Sequence, residues 1–386
     1  MKRLRLVLVG VASAVLLAAC GGGMPGTTEQ LGTGSGSKWQ AKYPGRHACP
    51  EPSPDASQCG VIITKTGVSP DLAGWGPSDL QAAYNLPSAS KGSGQIVAIV
   101  DSYDNPNVAS DLATYRSYFG LPPANFTKYN QEGQQGNYPP GNAGWGAEID
   151  LDVEMVSAAC PNCTIYLVEA KDNKNLGAAE TEAVELGAHI VSNSWYGNWP
   201  FESDFDTPGV VYVAAAGDDF YGSYVPAKLA NVVSVGGTIL AKKGRQYKEI
   251  VWPQTGGGCA SGVAKPSWQH DPGCDSRTQN DVAAVAQDVA EYDSYGYSGW
   301  STAGGTSVST PLIASIYGLA GNASSQHAGK KFWTLTAQQR GKYLHVISEG
   351  TDGSCGGSYL CTAGTHQYGT YSGPTGWGTP NGIGAF

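Results

Sequence analysis

Glu148 and Asp152 stand four residues apart in the run Gly146-Ala147-Glu148-Ile149-Asp150-Leu151-Asp152-Val153-Glu154. On a helix that spacing puts two carboxyl groups on one face, where one can accept a proton while the other orients it. Asp150 and Glu154 have the same spacing on roughly the opposite face, so helix geometry alone does not choose between the pairs. An acidic first turn favoured by the helix dipole is the plain alternative for both. Far along the chain, Gly304-Gly305-Thr306-Ser307-Val308-Ser309-Thr310-Pro311 reads as a glycine turn opening a helix over 307–319, with a serine and a proline in its first turn. The N–H groups of a first turn have no intrahelical partner, so a proline is tolerated there and negative charge near Ser307 is favoured. Ser307 reads equally well as a nucleophile or as a helix cap. A third acid, Asp218, ends the apolar run Ala214-Ala215-Ala216-Gly217, and a turn-forming role beside Asp219 is its alternative.

Elements that could position these residues follow in alternation. Helical patterns cover 78–84, 108–119, 148–159 and 176–186. Apolar strand-like runs cover 95–100, ending at Asp101, then 164–168, 189–194, 210–216 and 231–235. Fully apolar strands separated by helices predict an α/β fold with a mostly parallel central sheet and helices on both faces. Sites in such folds lie at the C-terminal ends of the strands. Residues 250–300 and the tail beyond Gly350 read as irregular, and no internal repeat is evident.

The chain has 386 residues, 14% of them charged, 54 glycines and a formal net charge of -9. It is low in charge and rich in loops without the composition of disorder, and nothing basic accumulates that would serve nucleic acid. Lys2, Arg3 and Arg5 precede a short apolar stretch ending Leu17-Ala18-Ala19-Cys20, with three glycines after it. The segment is below spanning length and resembles a bacterial lipoprotein signal, 1–20, with Cys20 as the acylated residue. That implies an exported protein anchored by lipid at a periplasmic face, an outer membrane or the cell surface. Residues 21–65, rich in Gly, Ser and Pro, read as a linker with one disulfide-closed loop, and 66–386 as the main domain. With Cys20 set aside, the remaining cysteines fall as neighbours: Cys49 with Cys59, Cys160 with Cys163, Cys259 with Cys274, and Cys355 with Cys361. Export favours disulfides over a metal at Cys160-Pro161-Asn162-Cys163.

Together these segments resemble the sedolisin, or serine-carboxyl peptidase, family of the subtilisin-like fold group, over roughly residues 75–386. Gly-Thr-Ser-x-x-x-Pro around Ser307 is similar to the nucleophile motif that subtilases and sedolisins share. Subtilases add an Asp at a strand end, a place Asp101 suits, and a His opening a helix before Gly-Thr. None of His47, His189, His270, His327, His345 and His366 stands in that setting. Sedolisins carry Glu-x-x-x-Asp-(apolar)-Glu instead, which selects Glu148 and Asp152, with Glu154 completing the pattern. Their Ala-Ala-Gly-Asp selects Asp218 for the oxyanion hole, and Val225-Pro226-Ala227 and 231–238 resemble the strand and turn that follow.

The resemblance implies an endopeptidase acting on polypeptides. Ser307 would attack the carbonyl, Glu148 would move the proton, Asp152 would orient Glu148, and a protonated Asp218 would donate to the oxyanion. Carboxyl groups in these roles imply an optimum of about pH 3 to 5. A monomer is the default. Two departures stand out. The family's calcium site would fall at Val346-Ile347 and Tyr368-Gly369-Thr370-Tyr371-Ser372, where Val346 and Ser372 replace carboxylates, so no cofactor or metal is expected. The family's long N-terminal inhibitory domain is replaced by a short stretch after Cys20. A subtilase-type peptidase using Asp101, and an inactive surface lipoprotein binding peptide or glycan, are the alternative readings.

Overall fold

The computed structural model describes residues 45–69, 74–197, 202–325, 329–364, 366 and 369–386; the leader with Cys20, and also His327 and Tyr368, lie outside them. The first strands are short: β1 (Arg46–His47), β2 (Gln58–Cys59) and β3 (Ile62–Thr66). Over 45–65 they replace the linker expected there, since Cys59, Val61, Ile62 and Ile63 are buried and the strands pair with distant parts of the chain; residues 21–44 of that linker lie outside the described residues. A two-residue strand has no periodicity for a sequence pattern to reveal.

α1 (Pro77–Ala83) begins with a proline, whose missing N–H costs nothing at a helix start. The alternation then follows: β4 (Ile96–Ser102), α2 (Val108–Tyr118), β5 (Asn125–Asn130), α3 (Ala143–Ala159), β6 (Thr164–Ala170), α4 (Leu176–Glu185) and β7 (Ile190–Asn193). Beyond it lie β8 (Trp195–Tyr196), β9 (Val211–Ala215), β10 (Val232–Lys243) and β11 (Gln246–Val251). The eight-stranded sheet runs β5-β6-β4-β7-β9-β10, all parallel, with β11 antiparallel at the end. β7 and β9 are buried throughout and β4 beyond Ile96, as a sheet covered on both faces requires. β5 is a half-exposed edge strand and shows no apolar run. Strand order reverses at β4, and such a reversal opens a crevice at the C-terminal ends of the strands.

Residues 250–300, expected to be irregular, hold β12 (Gly258–Ala264), β13 (Ser276–Gln279), β14 (Val282–Val285) and β15 (Val289–Asp293), and lead into β16 (Gly299–Gly304). β14 pairs in parallel with β10, while β15 and β16 complete a second sheet in the order β1-β3-β16-β15. β16 delivers the chain directly into α5 (Thr306–Ala320), which packs against α3. The tail adds α6 (Lys330–Thr334), α7 (Ala337–Tyr343) and the pair β17 (Leu344–His345) and β18 (Thr379–Pro380). All four neighbour disulfides are formed. No helix among the described residues is long and apolar enough to cross a membrane.

Candidate active site

Ser307 is the second residue of α5, and the cap position belongs to Gly305, which makes no side-chain cap. The cap reading of Ser307 therefore fails. Gly305 has φ 109°, which glycine alone adopts without strain, and its missing Cβ leaves room for the carbonyl oxygen of Gly60, which would lie 2.3 Å from it. Pro311 lies inside the helix rather than in its first turn. Its absent N–H is the one that would have bonded Ser307 O, four residues back. That oxygen instead accepts the Ser194 hydroxyl at 3.3 Å, while the Ser307 hydroxyl donates to Ser194 O at 3.2 Å. The nucleophile candidate is thus tied to the chain segment just after β7.

α3 starts five residues before Glu148, with Asn142 capping the N–H groups of Gly144 and Trp145 at 3.0 and 3.1 Å. Glu148, Asp150, Asp152 and Glu154 are all fully buried, so the solvated acidic turn is excluded. The two pairs face different surroundings. Asp150 accepts from Asn105 Nδ2 at 2.6 Å, and Glu154 from Tyr292 N at 3.0 Å, toward β15. Glu148 turns to Ser307; burial, then neighbouring Asp152, push its pKa well above the usual carboxyl range against the lowering by the Ser307 hydroxyl. Its Oε2 accepts the N–H of Val61 at 2.6 Å, and its Oε1 has no hydrogen-bond partner among the described residues. Asp152 is raised by burial and lowered by the Ser194 hydroxyl beside it. Asp101, at the end of β4, is raised by burial, then by Asp152 and Glu148. Three carboxyl groups therefore share one desolvated space and cannot all be ionised.

Asp218 approaches from the other side, after β9 and the turn at Gly217, whose φ is 102°. Its Oδ1 accepts both the N–H and the hydroxyl of Thr306, and Oδ2 has no partner among the described residues. Burial pushes Asp218 up to about 7 against those bonds, so it holds its proton in acid. With Oδ1 already accepting twice, the proton belongs on Oδ2. Ser307 Oγ and Asp218 Oδ2 flank the same point, at 2.5 and 2.6 Å from where a Cβ on Gly60 would stand. A hydroxyl, a proton acceptor and a neutral acid donor thus converge, which suits attack on a carbonyl and stabilisation of the resulting oxyanion.

Residues 132–357 match the subtilase family. The chain belongs to that family. Among its relatives, kumamolisin of Bacillus sp. (strain MN-32) is 30% identical over 353 residues, 80% of this chain and 62% of kumamolisin. Sedolisin of Pseudomonas sp. (strain 101) is 25% identical over 370 residues, 82% of this chain and 61% of sedolisin. These relatives place the chain on the sedolisin side of the family, and it spans less than two thirds of either one's length. The solved Pseudomonas sedolisin, a serine-carboxyl proteinase complexed with two molecules of pseudo-iodotyrostatin, shares the fold with TM-score 0.68 at 22% identity, over 80% of this chain and 95% of that one.

The subtilase fold brings Ser307, Glu148, Asp152 and Asp218 together, and Asp101 with them, although the sequence offered Asp101 only as part of a different triad. Among the described residues no histidine bonds to Ser307: His189 is exposed and pairs with Gly209 O at 3.0 Å, and His366 pairs with Thr362 O at 2.9 Å. Sequence reasoning gave two contributors no role. Ser194 follows β7 in an unremarked Asn-Ser-Trp, and Thr306 reads as motif filler beside Ser307.

The family's calcium ion does not fit the matching positions. Val346 is apolar and 41% exposed, and the buried Ser372 hydroxyl is engaged with Thr375 Oγ1 at 2.8 Å in a turn. Elsewhere, Asp111, Asp150 and Asp293 bring carboxyl oxygens within 4.8 Å of one another, the one group among the described residues with the spacing to hold a cation.

Proposed function

We propose that this chain is a serine-carboxyl endopeptidase that hydrolyses polypeptides in acid. One observation carries the reading: the Ser307 hydroxyl lies among buried carboxyl groups, Glu148 and Asp152 on one side and Asp218 on the other.

In this mechanism Ser307 Oγ attacks the peptide carbonyl as Glu148 takes its proton. The carbonyl oxygen gains negative charge and accepts a hydrogen bond from protonated Asp218. Glu148 then gives its proton to the departing amine, the C–N bond breaks, and an acyl-Ser307 ester remains. Water attacks that ester with Glu148 again as base, freeing the acid product and Ser307. Asp152 and Asp101 keep Glu148 in a cluster that loses protons one at a time, so its first charge is shared among the three. Asp218 must stay neutral, which holds below about 7. The neutral Asp218 favours the acid side, and ordinary carboxyl values put the optimum at about pH 3 to 5.

The test is hydrolysis of an unfolded protein substrate from about pH 2 to 9, beside Ser307→Ala and Glu148→Gln. Acid-side cleavage that falls by roughly 10³-fold or more in each variant is expected. An alkaline optimum, or activity that survives Glu148→Gln, sinks the serine-carboxyl assignment.

We also propose that the protein is exported and held at a membrane by lipid on Cys20, as a monomer. The basic residues at its start, Leu17-Ala18-Ala19-Cys20 and the four disulfides support this. Fatty-acid labelling that persists in Cys20→Ser would exclude the anchor, and sedimentation as a larger species would exclude the monomer.

A further inference from the structure

Asp111, Asp150 and Asp293 come from three elements that pack on one another, α2, α3 and the end of β15. Their carboxyl oxygens gather within 4.8 Å. Glu154 stands one turn after Asp150, and Glu291 two residues before Asp293. All five side chains are buried, and none of them takes part in an ion pair among the described residues. The crowding is mutual. Burial, then Asp293, Asp111 and Glu291, push the pKa of Asp150 far up, and burial, then Asp150 and Glu291, do the same to Glu154.

The hydrogen bonds of the cluster follow one pattern. Asp150 Oδ2 accepts from Asn105 Nδ2 at 2.6 Å, and Glu154 Oε2 from Tyr292 N at 3.0 Å. Glu291 Oε2 accepts the Ser301 hydroxyl at 2.9 Å, and Asp293 Oδ1 accepts the N–H groups of Tyr295 and Gly296 at 2.7 and 2.9 Å. In each of these four groups the other oxygen is buried and has no partner among the described residues: Asp150 Oδ1, Glu154 Oε1, Glu291 Oε1 and Asp293 Oδ2. Asp111 is anchored by Ser294, whose hydroxyl and N–H donate to it at 2.7 and 2.9 Å. Carboxyl groups steered by a fixed donor at one oxygen and left bare at the other are arranged as metal ligands are, with an outer shell of donors orienting an inner shell. A buried oxygen without a partner is costly, and a cation is one of the few things that removes that cost for several at once.

We propose that Asp111, Asp150 and Asp293 bind a calcium ion, with the bare oxygens of Glu154 and Glu291 completing its shell directly or through water. The donors are hard oxygens, with no imidazole or thiolate among them, which selects calcium or magnesium over zinc and the later transition metals. Calcium–oxygen bonds of about 2.3–2.6 Å place ligands on opposite sides of the ion at roughly 4.6–5.2 Å, which accommodates the spread of this group. Magnesium binds at about 2.0–2.1 Å and keeps several waters, for which a fully buried site built of side-chain oxygens is poorly suited. Three carboxylates around a doubly charged ion come close to neutrality, so Glu154 and Glu291 can keep their protons beside it. The site lies away from Val346 and Ser372 and is independent of the peptidase reading. It would staple α2 and the β15–β16 hairpin to the face of α3 that turns away from Ser307, and so hold the helix whose other face carries Glu148 and Asp152.

The experiment strips the full chain with a chelator and titrates it with calcium chloride at about pH 7, where protons compete least with the ion. Calorimetric titration reads binding, and thermal unfolding reads its consequence, beside Asp150→Asn and Asp293→Asn, each checked for folding by circular dichroism. The unmodified chain is expected to bind calcium and to gain on the order of 5 °C in Tm at calcium about 100-fold above its dissociation constant. Magnesium chloride is expected to give a much smaller gain. Either variant is expected to bind calcium about tenfold or more weakly and to lose the gain in Tm. A chain that binds no calcium and melts alike in calcium and in chelator overturns the proposal, because protons alone then hold the cluster. Calcium binding that both variants retain unchanged also overturns it, because the ion then sits elsewhere. Should Asp150→Asn fail to fold, Asp293→Asn beside the hairpin turn decides the second question, and binding by the unmodified chain decides the first.

Discussion

Both donors of Thr306 converge on one oxygen of Asp218, the backbone N–H at 2.7 Å and the hydroxyl at 2.9 Å. They leave Oδ2 as the place for the proton and aim that oxygen at the point where Ser307 Oγ also arrives. Replacing Asp218 by asparagine keeps a donor of similar shape but removes its titration. Asp218→Asn is expected to lower kcat by about 10²-fold, the size of one oxyanion donor lost or misaimed. It should also remove the fall in rate near pH 7 that ionisation of Asp218 imposes. Rate profiles of the two proteins check this, and an alkaline limb that stays in place assigns it to another group.

The buried carboxyl groups make stability itself depend on pH. Asp218 is raised by burial to about 7 and Glu291 to about 8, the latter helped by Asp293. A carboxyl raised in the folded state keeps its proton there at pH values where the unfolded chain has already lost it. The folded state then binds more protons, so the slope of stability with pH is negative. The contribution is complete below about pH 4, where both states are protonated, and is lost as pH climbs through 7 and 8. Each such group costs up to about 1.4 kcal/mol per pH unit within its window. The Tm is therefore expected to fall steadily from pH 4 to 8, by thermal unfolding followed in parallel buffers. A Tm that rises over this range would mean that these acids are ionised in the folded protein.

Gly305 joins β16 to α5 and sets where Ser307 stands. A side chain there would have to accept φ 109° and a Cβ 2.3 Å from Gly60 O. Gly305→Ala is expected to cost about 1 to 3 kcal/mol of stability from backbone strain alone. Activity should fall further than stability, because the turn carries Thr306 and Ser307 together. Denaturant unfolding and kcat, measured on the same preparation, separate the two effects. A variant as stable and as active as the parent would show that the turn relaxes freely.

Much of this protein was legible in its sequence because the signals are local. Apolar runs such as 96–100 and 211–215 must be covered on both faces, so the parallel sheet follows from them. Glu148 and Asp152 share a helix face by spacing alone, Gly305 announces the turn before Ser307, and the cysteines pair with their nearest neighbours because short loops close most easily. Other features depended on which distant segments meet. Spacing could not choose Glu148 and Asp152 over Asp150 and Glu154, since α3 is buried on every side and only the approach of α5 and β15 tells its faces apart. Asp101 joins the carboxyl cluster because β4 lies at the turnaround of the sheet. Residues 46–66 have the composition of a linker, and their strands are too short to show a period. Pairing with β8 and β16, a disulfide, and a glycine small enough to reach Ser307 give them their place. The sequence by itself determined which residues could do chemistry. The tertiary structure decided which of them share a desolvated space, because burial and proximity, which set their protonation, are properties of contacts between segments remote along the chain.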